Sequence, residues 1–365
     1  MRPNGTRPGT EETAAHGWSR VTSMARWLAR RKQPMGGTPR VSVVIPVYNA
    51  ESTLAECLTR LCNSTLPEFE VVLVDDGSTD QTGAIAANFP VRIVPTGGRV
   101  GPAAARNLGA RVAEGDVIFF IDSDVMVRPD TLSRMVARFA EDEIEGVVGV
   151  QAANMRHRNL ASQYKNLWMR WTYVRQTGDV PLFYTTAAAI RREVFLRAGG
   201  FDAGYETPNV EDTAFGQKLA RLGIRVRVEP ELEVEHVKRY SLWGLLRTDY
   251  MRAVSLTRLK LRQRGELVQN NTSVPTGYVA SIPLSAVGAT GLLAGTLLAI
   301  GPLVVAGVAA LGTVVVLNRE FLNTMRKNDG WGRALGAVPV LWLELLVSAV
   351  GAGVGLVTYV LGRRY

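Results

Sequence analysis

The chain has 365 residues, room for two domains or for one large domain with an attachment. Its 42 Lys+Arg against 33 Asp+Glu give a formal net charge of +9, which favours anionic partners: nucleic acid, anionic lipid or phosphorylated substrates. Only Cys57 and Cys62 are present, in one predicted helix, which excludes a disulfide-built scaffold and offers no metal-site spacing; both read as helix residues in a reducing compartment.

Residues 1–40 hold no long apolar core, so no secretory signal is expected. The stretch MARWLARRKQP (24–34) sets Trp27 and Leu28 among Arg26, Arg30, Arg31 and Lys32. It reads as a disordered basic tail or as a short helix lying on anionic lipid. Four short apolar runs follow: VSVVIPV (41–47), EVVLVDD (70–76), VRIVP (91–95) and DVIFFID (116–122). They read as buried strands, and the stretches 51–65, 80–88 and 102–114 between them as helices. This alternation predicts parallel βαβ units in an α/β sheet, whose ligands bind beyond the carboxyl ends of the strands. Polar residues fall at those ends: Tyr48-Asn49, Asp75-Asp76 and Asp122-Ser123-Asp124. Two carboxylates so close repel unless something positive lies between them. In the loop DDGSTDQT (75–82), Ser78, Thr79 or Asp80 can cap the next helix, but capping does not explain two adjacent Asp at the strand end.

The glycine-rich stretch GGRVGPAAARNLGA (97–110) fits neither the dinucleotide fingerprint nor the P-loop. On its own it reads as a loop entering a helix at Pro102, with Arg99 and Arg106 on the surface. In NVEDTAFGQKLARLG (209–223), Glu211-Asp212 open a helix with Phe215 and Leu219 on its inner side, where acidic residues suit the helix dipole. His236 in EVEHVKR reads, alone, as a structural histidine; Lys238 and Arg239 suit a diphosphate or a solvated face.

Taken in order, VSVVIPVYNA, VVLVDDGSTDQT, GPAAARNLGA, GDVIFFIDSD, AGGFDAGYETPNVEDTAFGQKLARLGIRV and VEH closely resemble the family-2 glycosyltransferases, from Val41 to roughly Lys260. The resemblance implies the A-type glycosyltransferase fold, a Rossmann-like α/β domain that transfers a sugar from a nucleotide diphosphate with inversion. It implies a divalent cation, Mn²⁺ or Mg²⁺, which stabilises the charge of the leaving diphosphate and prefers carboxylate oxygens. Asp124 becomes the metal ligand, Asp122 a ligand to metal or ribose, and His236 the distal metal ligand. Tyr48 becomes the base-stacking residue, Asp75 and Asp76 the nucleotide-binding pair, and Arg106 the residue holding its loop near the nucleotide. Ala50 departs from the pattern, since many members carry Glu there, and Glu51 is next in line. Asp212, beside Glu211, becomes the general base for the acceptor. A base serves only a nucleophile with a proton to lose, so a hydroxyl is expected over a polyprenyl phosphate.

Beyond the domain, 241–264 sets Trp243, Leu245, Leu246 and Tyr250 among Arg247, Arg252, Arg258, Lys260, Arg262 and Arg264. It reads as a basic amphipathic helix at a bilayer surface, or one packed beneath the catalytic domain. Leu267 to Asn318 contains no charged residue, as a membrane segment would. Spans are expected at 278–299, 303–317 and 335–361, the first about 33 Å long and sufficient for a bilayer core of ~30 Å. Gly351, Ala352 and Gly355 permit close helix contact. Arg319, Arg326, Lys327 and Arg333 should keep 318–334 cytoplasmic; three spans then leave Arg363-Arg364 outside, and a re-entrant second segment repairs this. Glu344, within the third segment, either faces the hairpin or the amphipathic helix and borders the acceptor lipid's path, with Arg247, Arg252 or Arg333 as partner, or marks a span that starts later.

The organisation expected is therefore a basic segment (1–40), a catalytic domain (41–240), an interfacial segment (241–276) and a transmembrane region (277–365). The expected setting is the inner membrane, with the catalytic domain cytoplasmic, in cell-envelope glycan synthesis. Expected partners are a nucleotide-diphospho-sugar donor, a lipid or lipid-linked acceptor and the membrane. Nucleic acid is not expected, because the basic residues flank apolar segments and no aromatic-basic readout module is present. A membrane-anchored scaffold without catalysis is the alternative, opposed by intact Asp122, Asp124, Asp212 and His236.

Overall fold

The computed structural model describes residues 40–141, 144–205, 209–263 and 273–362. The basic segment expected over 1–40 lies, apart from Arg40, outside them, as do Arg264 and Arg363-Arg364. From Val41 the chain forms β1 (Val41–Val47), α1 (Leu54–Cys62), β2 (Phe69–Asp75), α2 (Thr82–Ala86), β3 (Arg92–Pro95), α3 (Pro102–Val112), β4 (Val117–Ile121) and β5 (Val125–Val127). Then come α4 (Thr131–Glu141), β6 (Gly146–Gln151), α5 (Leu160–Val174), β7 (Ala187–Arg191), α6 (Arg192–Arg197), α7 (Glu211–Arg221) and β8 (Val226–His236). The four strands expected from the apolar runs are β1 to β4.

Among the described residues the strands make one sheet in the order β3-β2-β1-β4-β7-β6-β8-β5. The first four are parallel, as the βαβ alternation requires; β7 then pairs antiparallel with both β4 and β6. β4 is buried along all five residues, the mark of a central strand covered on both faces. The β5–β8 register sets Val125 opposite His236. That pairing brings the histidine to Asp124 across more than a hundred residues. Cys57 and Cys62 are both free thiols.

Past β8 the chain forms α8 (Leu242–Arg262), α9 (Thr276–Leu297), α10 (Gly301–Leu317), α11 (Arg319–Asp329) and α12 (Trp331–Val360). Ser241 caps α8 by accepting from Gly244 N at 3.0 Å. Among the described residues two helices, α9 and α12, are long and apolar enough to cross a membrane; α10 meets α11 through a 63° bend. α9 and α10 form a hairpin whose arms touch at glycines. A Cβ on Gly307 would lie 2.6 Å from Leu292 N. The hairpin's base is tied by Asn318, whose amide donates to Ser281 Oγ at 2.9 Å.

α8 does not stand free as a surface helix. A Cβ on Gly355 would lie 2.6 Å from Val254 O, and one on Gly351 2.7 Å from Tyr250 O, so α8 and α12 meet backbone to backbone. The small residues expected to allow helix contact do so, with α8 as the partner. Several of the helix's cations point to protein: Arg258 donates to Thr358 Oγ1 at 2.8 Å, and Arg262 to the Tyr205 hydroxyl. Glu344 is buried and accepts from the Tyr164 hydroxyl on α5. Glu344 thus contacts protein, but the hydrogen-bond partner is a tyrosine of the catalytic domain and not Arg247, Arg252 or Arg333. A buried carboxyl is tolerated because the phenol donates directly to it.

Candidate active site

A cleft of about 780 Å³ opens over the carboxyl ends of β1, β2 and β4 and the end of β8. Tyr48, Asp76, Arg106, Asp122, Asp124, Glu211, Asp212 and His236 all line it; Asp75 does not. The strand-end rule thus gathers all but one of the expected residues in one place.

Their contacts differ from the expected roles in several respects. Arg106 is not on the surface. It is 4% exposed and bridges Asp122 Oδ1 at 2.7 Å to Glu211 Oε1 at 3.0 Å, tying the β4 end to the start of α7. This guanidinium is the positive group that relieves Asp122. Glu211 also accepts from Asn209 N at 2.8 Å, so both of its oxygens organise the chain. Asp76 accepts from Val100 N (2.8 Å), Gly101 N (2.9 Å) and Thr96 Oγ1, so its carboxylate shapes the 96–101 loop. Asp75 accepts from Ser78 N at 2.9 Å within its turn. Tyr48 projects into the cleft with the Arg99 guanidinium 3.8 Å from its ring centre. Glu51 is engaged with Gln81 N and is not among the cleft-lining residues.

Asp124 and His236 face each other, Oδ2 to Nε2, at 3.2 Å. Burial alone would raise the Asp124 pKa, but His236 and Lys238 outweigh it and hold the group below the usual range. Gln151, at the end of β6, lies 3.1 Å from His236 Nδ1 and donates to Tyr184 Oη at 3.0 Å. If its amide is turned over, Gln151 accepts from Nδ1–H and leaves the Nε2 lone pair free for a cation. A carboxylate and an imidazole converging at one point suit a divalent ion that completes its shell with diphosphate oxygens. Among the described residues no group of three His, Cys, Asp or Glu could hold a metal. Of the expected trio, Asp124 and His236 converge, while Asp122 is turned to Arg106.

Asp212 sits in the first turn of α7, buried, and accepts from the Thr213 hydroxyl at 3.1 Å. Burial, with Glu211 adjacent, pushes its pKa up to about 6 against the opposing pull of Arg252 and Arg106. A carboxylate tuned towards neutrality in a cleft is suited to accept a proton there.

The family model for glycosyl transferase family 2 matches residues 42–198. The match runs from β1 to just past α6, under half of the chain, and over those residues the chain resembles a family 2 glycosyl transferase domain. Glycosyltransferase GlyG of Streptococcus pneumoniae is 35% identical over 114 residues, covering 30% of this chain and 38% of that relative. The probable glycosyltransferase YdaM of Bacillus subtilis is 26% identical over 268 residues, covering 67% of this chain and 62% of that relative. The chain thus spans less than two thirds of the length of these curated relatives. Among solved structures, the mannosyltransferase PcManGT of Pyrobaculum calidifontis, in complex with GDP-Man and Mn²⁺, aligns with a TM-score of 0.55 and 22% identity, over 93% of this chain and 96% of that one. The chain shares the A-type glycosyltransferase fold with that neighbour.

Three groups in the cleft are not among the residues expected from the sequence. Gln151 ends an apolar strand, GVVGVQ, and carries the same signal that flags Asp122. Lys165 is ion-paired with Asp249, 84 residues away, for which no sequence signal exists. Arg252 reads in sequence as one of the lipid-facing cations, yet it lines the cleft near Asp212.

Proposed function

We propose that this chain transfers a sugar from a nucleotide-diphospho-sugar, with inversion, to a hydroxyl of a lipid or lipid-linked acceptor at a membrane. The observation that carries the reading is Asp212, buried and tuned to about 6, in the same cleft as the Asp124–His236 pair. The acceptor oxygen forms its bond to the anomeric carbon as the bond to the leaving diphosphate breaks on the opposite face, and Asp212 takes the acceptor's proton. Mn²⁺ or Mg²⁺, held by Asp124 and His236, would neutralise charge on the leaving group. Mn²⁺ in the similar PcManGT structure supports a divalent ion. Tyr48 would stack on the base, with Asp75 and Asp76 shaping the loops around the nucleotide. Purified protein in nanodiscs, supplied with UDP-, GDP- and dTDP-sugars and Mn²⁺, should release nucleotide from at least one donor. No release from any of them would favour the non-catalytic scaffold.

The same proposal includes attachment at the inner membrane with the catalytic domain cytoplasmic, in a form different from three spans. α12 contacts the catalytic domain's α5 at mid-helix and α8 near its C-terminal end. Glu344 meets Tyr164, while Thr358 and Tyr359 meet Arg258 and Leu261 of α8. α8 is itself fixed to the domain by Arg262 at Asp202 and Asn209 at Ser255. A helix perpendicular to the bilayer would carry Tyr359 roughly 22 Å below Glu344 at 1.5 Å per residue, and the charged domain with it. α12 is better read as lying in the interface, its outer face of Leu335, Leu343, Val350 and Val357 towards lipid. The uncharged hairpin α9–α10 then enters the bilayer and returns. Spin labels at those four positions should show one common shallow depth in nanodiscs. Depth that changes steadily along the series would restore a span.

A further inference from the structure

A second cavity of about 230 Å³ lies between α5, α8, α9 and α12. Lys165, Met169 and Arg252 line both this cavity and the catalytic cleft, so the two spaces adjoin. Beyond that junction the wall turns apolar: Trp168, Leu256, Val274, Val279, Ile282 and Ala352. Val279 and Ile282 belong to the base of the apolar hairpin, so the cavity lies on a path from hydrocarbon to the reacting centre.

Its charged groups are disposed unevenly. Asp249 is ion-paired with Lys165, and Glu344 accepts from Tyr164. One oxygen of Asp249, Oδ2, is buried without a hydrogen-bond partner among the described residues. Arg252, half-buried at the junction, feels the charges of Asp212 and Asp249 but has no direct hydrogen-bond partner among the described residues. A guanidinium withdrawn from water presents five donors in a planar fork that matches a phosphate group.

We propose that this cavity holds the first part of the hydrocarbon chain of a phosphate-bearing lipid acceptor, with Arg252 gripping the phosphate where the cavity meets the cleft. This rests on the reading above that the acceptor is lipid-borne, and it names where and by what chemistry the lipid is held. With the phosphate held at Arg252, a hydroxyl borne by the lipid's head group reaches Asp212 while the chain remains in an apolar wall; farnesyl phosphate, which lacks that hydroxyl, serves below as a binding probe only. The Lys165–Asp249 pair and the Tyr164–Glu344 contact keep the wall's carboxylates engaged, so a phosphate arriving at Arg252 meets less repulsion.

The test measures binding, which needs no turnover. Full-length protein in nanodiscs is titrated with farnesyl phosphate, farnesol, inorganic phosphate and dioleoyl phosphatidic acid, and bound lipid is read by native mass spectrometry. Farnesyl phosphate should bind, and Arg252→Gln should weaken it by roughly tenfold or more, as expected for a lost charge-assisted contact, while leaving farnesol unchanged. Arg252→Lys should fall between. Ala352→Trp, which fills the cavity, should weaken both prenyl compounds and leave nucleotide release from donor in water within about twofold, because the side chain is remote from Asp124, His236 and Asp212. If Ala352→Trp fails to fold, Ile282→Trp fills the cavity from the facing wall. Inorganic phosphate competing as well as farnesyl phosphate would make this a free-anion site, and phosphatidic acid binding as tightly would make it a general headgroup contact; either overturns the proposal. So does binding unaffected by both substitutions. If transfer to a soluble acceptor proceeds while no prenyl compound binds, the inference fails and the transferase reading stands. If lipid binds as expected but no donor turns over, the transferase reading fails and the lipid site stands.

Discussion

Replacing Asp124 by alanine is expected to remove sugar transfer while the protein still folds and still extracts with membrane. The residue lies just past β4, with its side chain 29% exposed, so no core packing is lost. What is lost is the carboxylate that faces His236. A cation at such a site supplies several kcal/mol of charge stabilisation in the transition state. Turnover should therefore fall on the order of 10³-fold or more. EDTA should reduce the wild type in the same way, and added Mn²⁺ should restore the wild type but not the variant. His236→Ala should fall less, because Asp124 alone can retain a weakly held ion. A fully active Asp124→Ala, or a wild type indifferent to EDTA, would show that the Asp124–His236 pair is structural.

The Asp212→Asn substitution carries the second large effect. The amide nearly matches the carboxylate in shape and cannot accept a proton at working pH. Turnover should drop by roughly 10²–10⁴, the usual scale for a lost general base, with donor affinity preserved. In the wild type, the rate should fall below about pH 6, because the base must be ionised to act and its pKa lies at about 6. The variant should lose that limb of the profile. Stability should move in the opposite sense. The folded-state pKa lies above the ordinary 3.8, so the folded protein takes up a proton between about pH 6 and 4 that the unfolded chain does not. Wild-type stability therefore gains as pH falls through that window and is lower above it, by on the order of 3 kcal/mol. The amide side chain carries no charge to desolvate, so the variant should melt higher than the wild type at pH 8, with the gap closing towards pH 4. Unchanged turnover in Asp212→Asn would mean that the nucleophile arrives already ionised, as a polyprenyl phosphate would. It would also leave Asp212 as a helix-dipole charge.

Much of this was legible in the residues alone. Runs of four to seven apolar residues can be satisfied only by burial between layers. Alternation with helices then dictates parallel strands, and parallel strands put their carboxyl ends at one edge. Tyr48, Asp122 and Asp124 could be located from that argument, and the ordered motifs supplied the family. The apolar, uncharged stretch before Arg319 and the close-packing glycines of α12 were equally readable, because they depend on local composition.

What the sequence could not supply was pairing across distance. Nothing local shows that Arg106 is buried between Asp122 and Glu211, since an arginine in a glycine-rich stretch reads as a surface cation until a second carboxylate is brought up from 105 residues away. Asp124 meets His236 only because β5 and β8 pair in one register. Glu344 reads equally as a group facing protein or as the edge of a later span until α5 delivers the Tyr164 hydroxyl. Arg252 reads as one cation of an interfacial or packed helix, and its place at the cleft appears only with the packing of α8. In each case the chain's own chemistry specified that a charge needed a partner, and burial made that need strict. Only the tertiary structure decided which group answered it, because electrostatic and hydrogen-bond partners are chosen by distance in space and the sequence records distance along the chain.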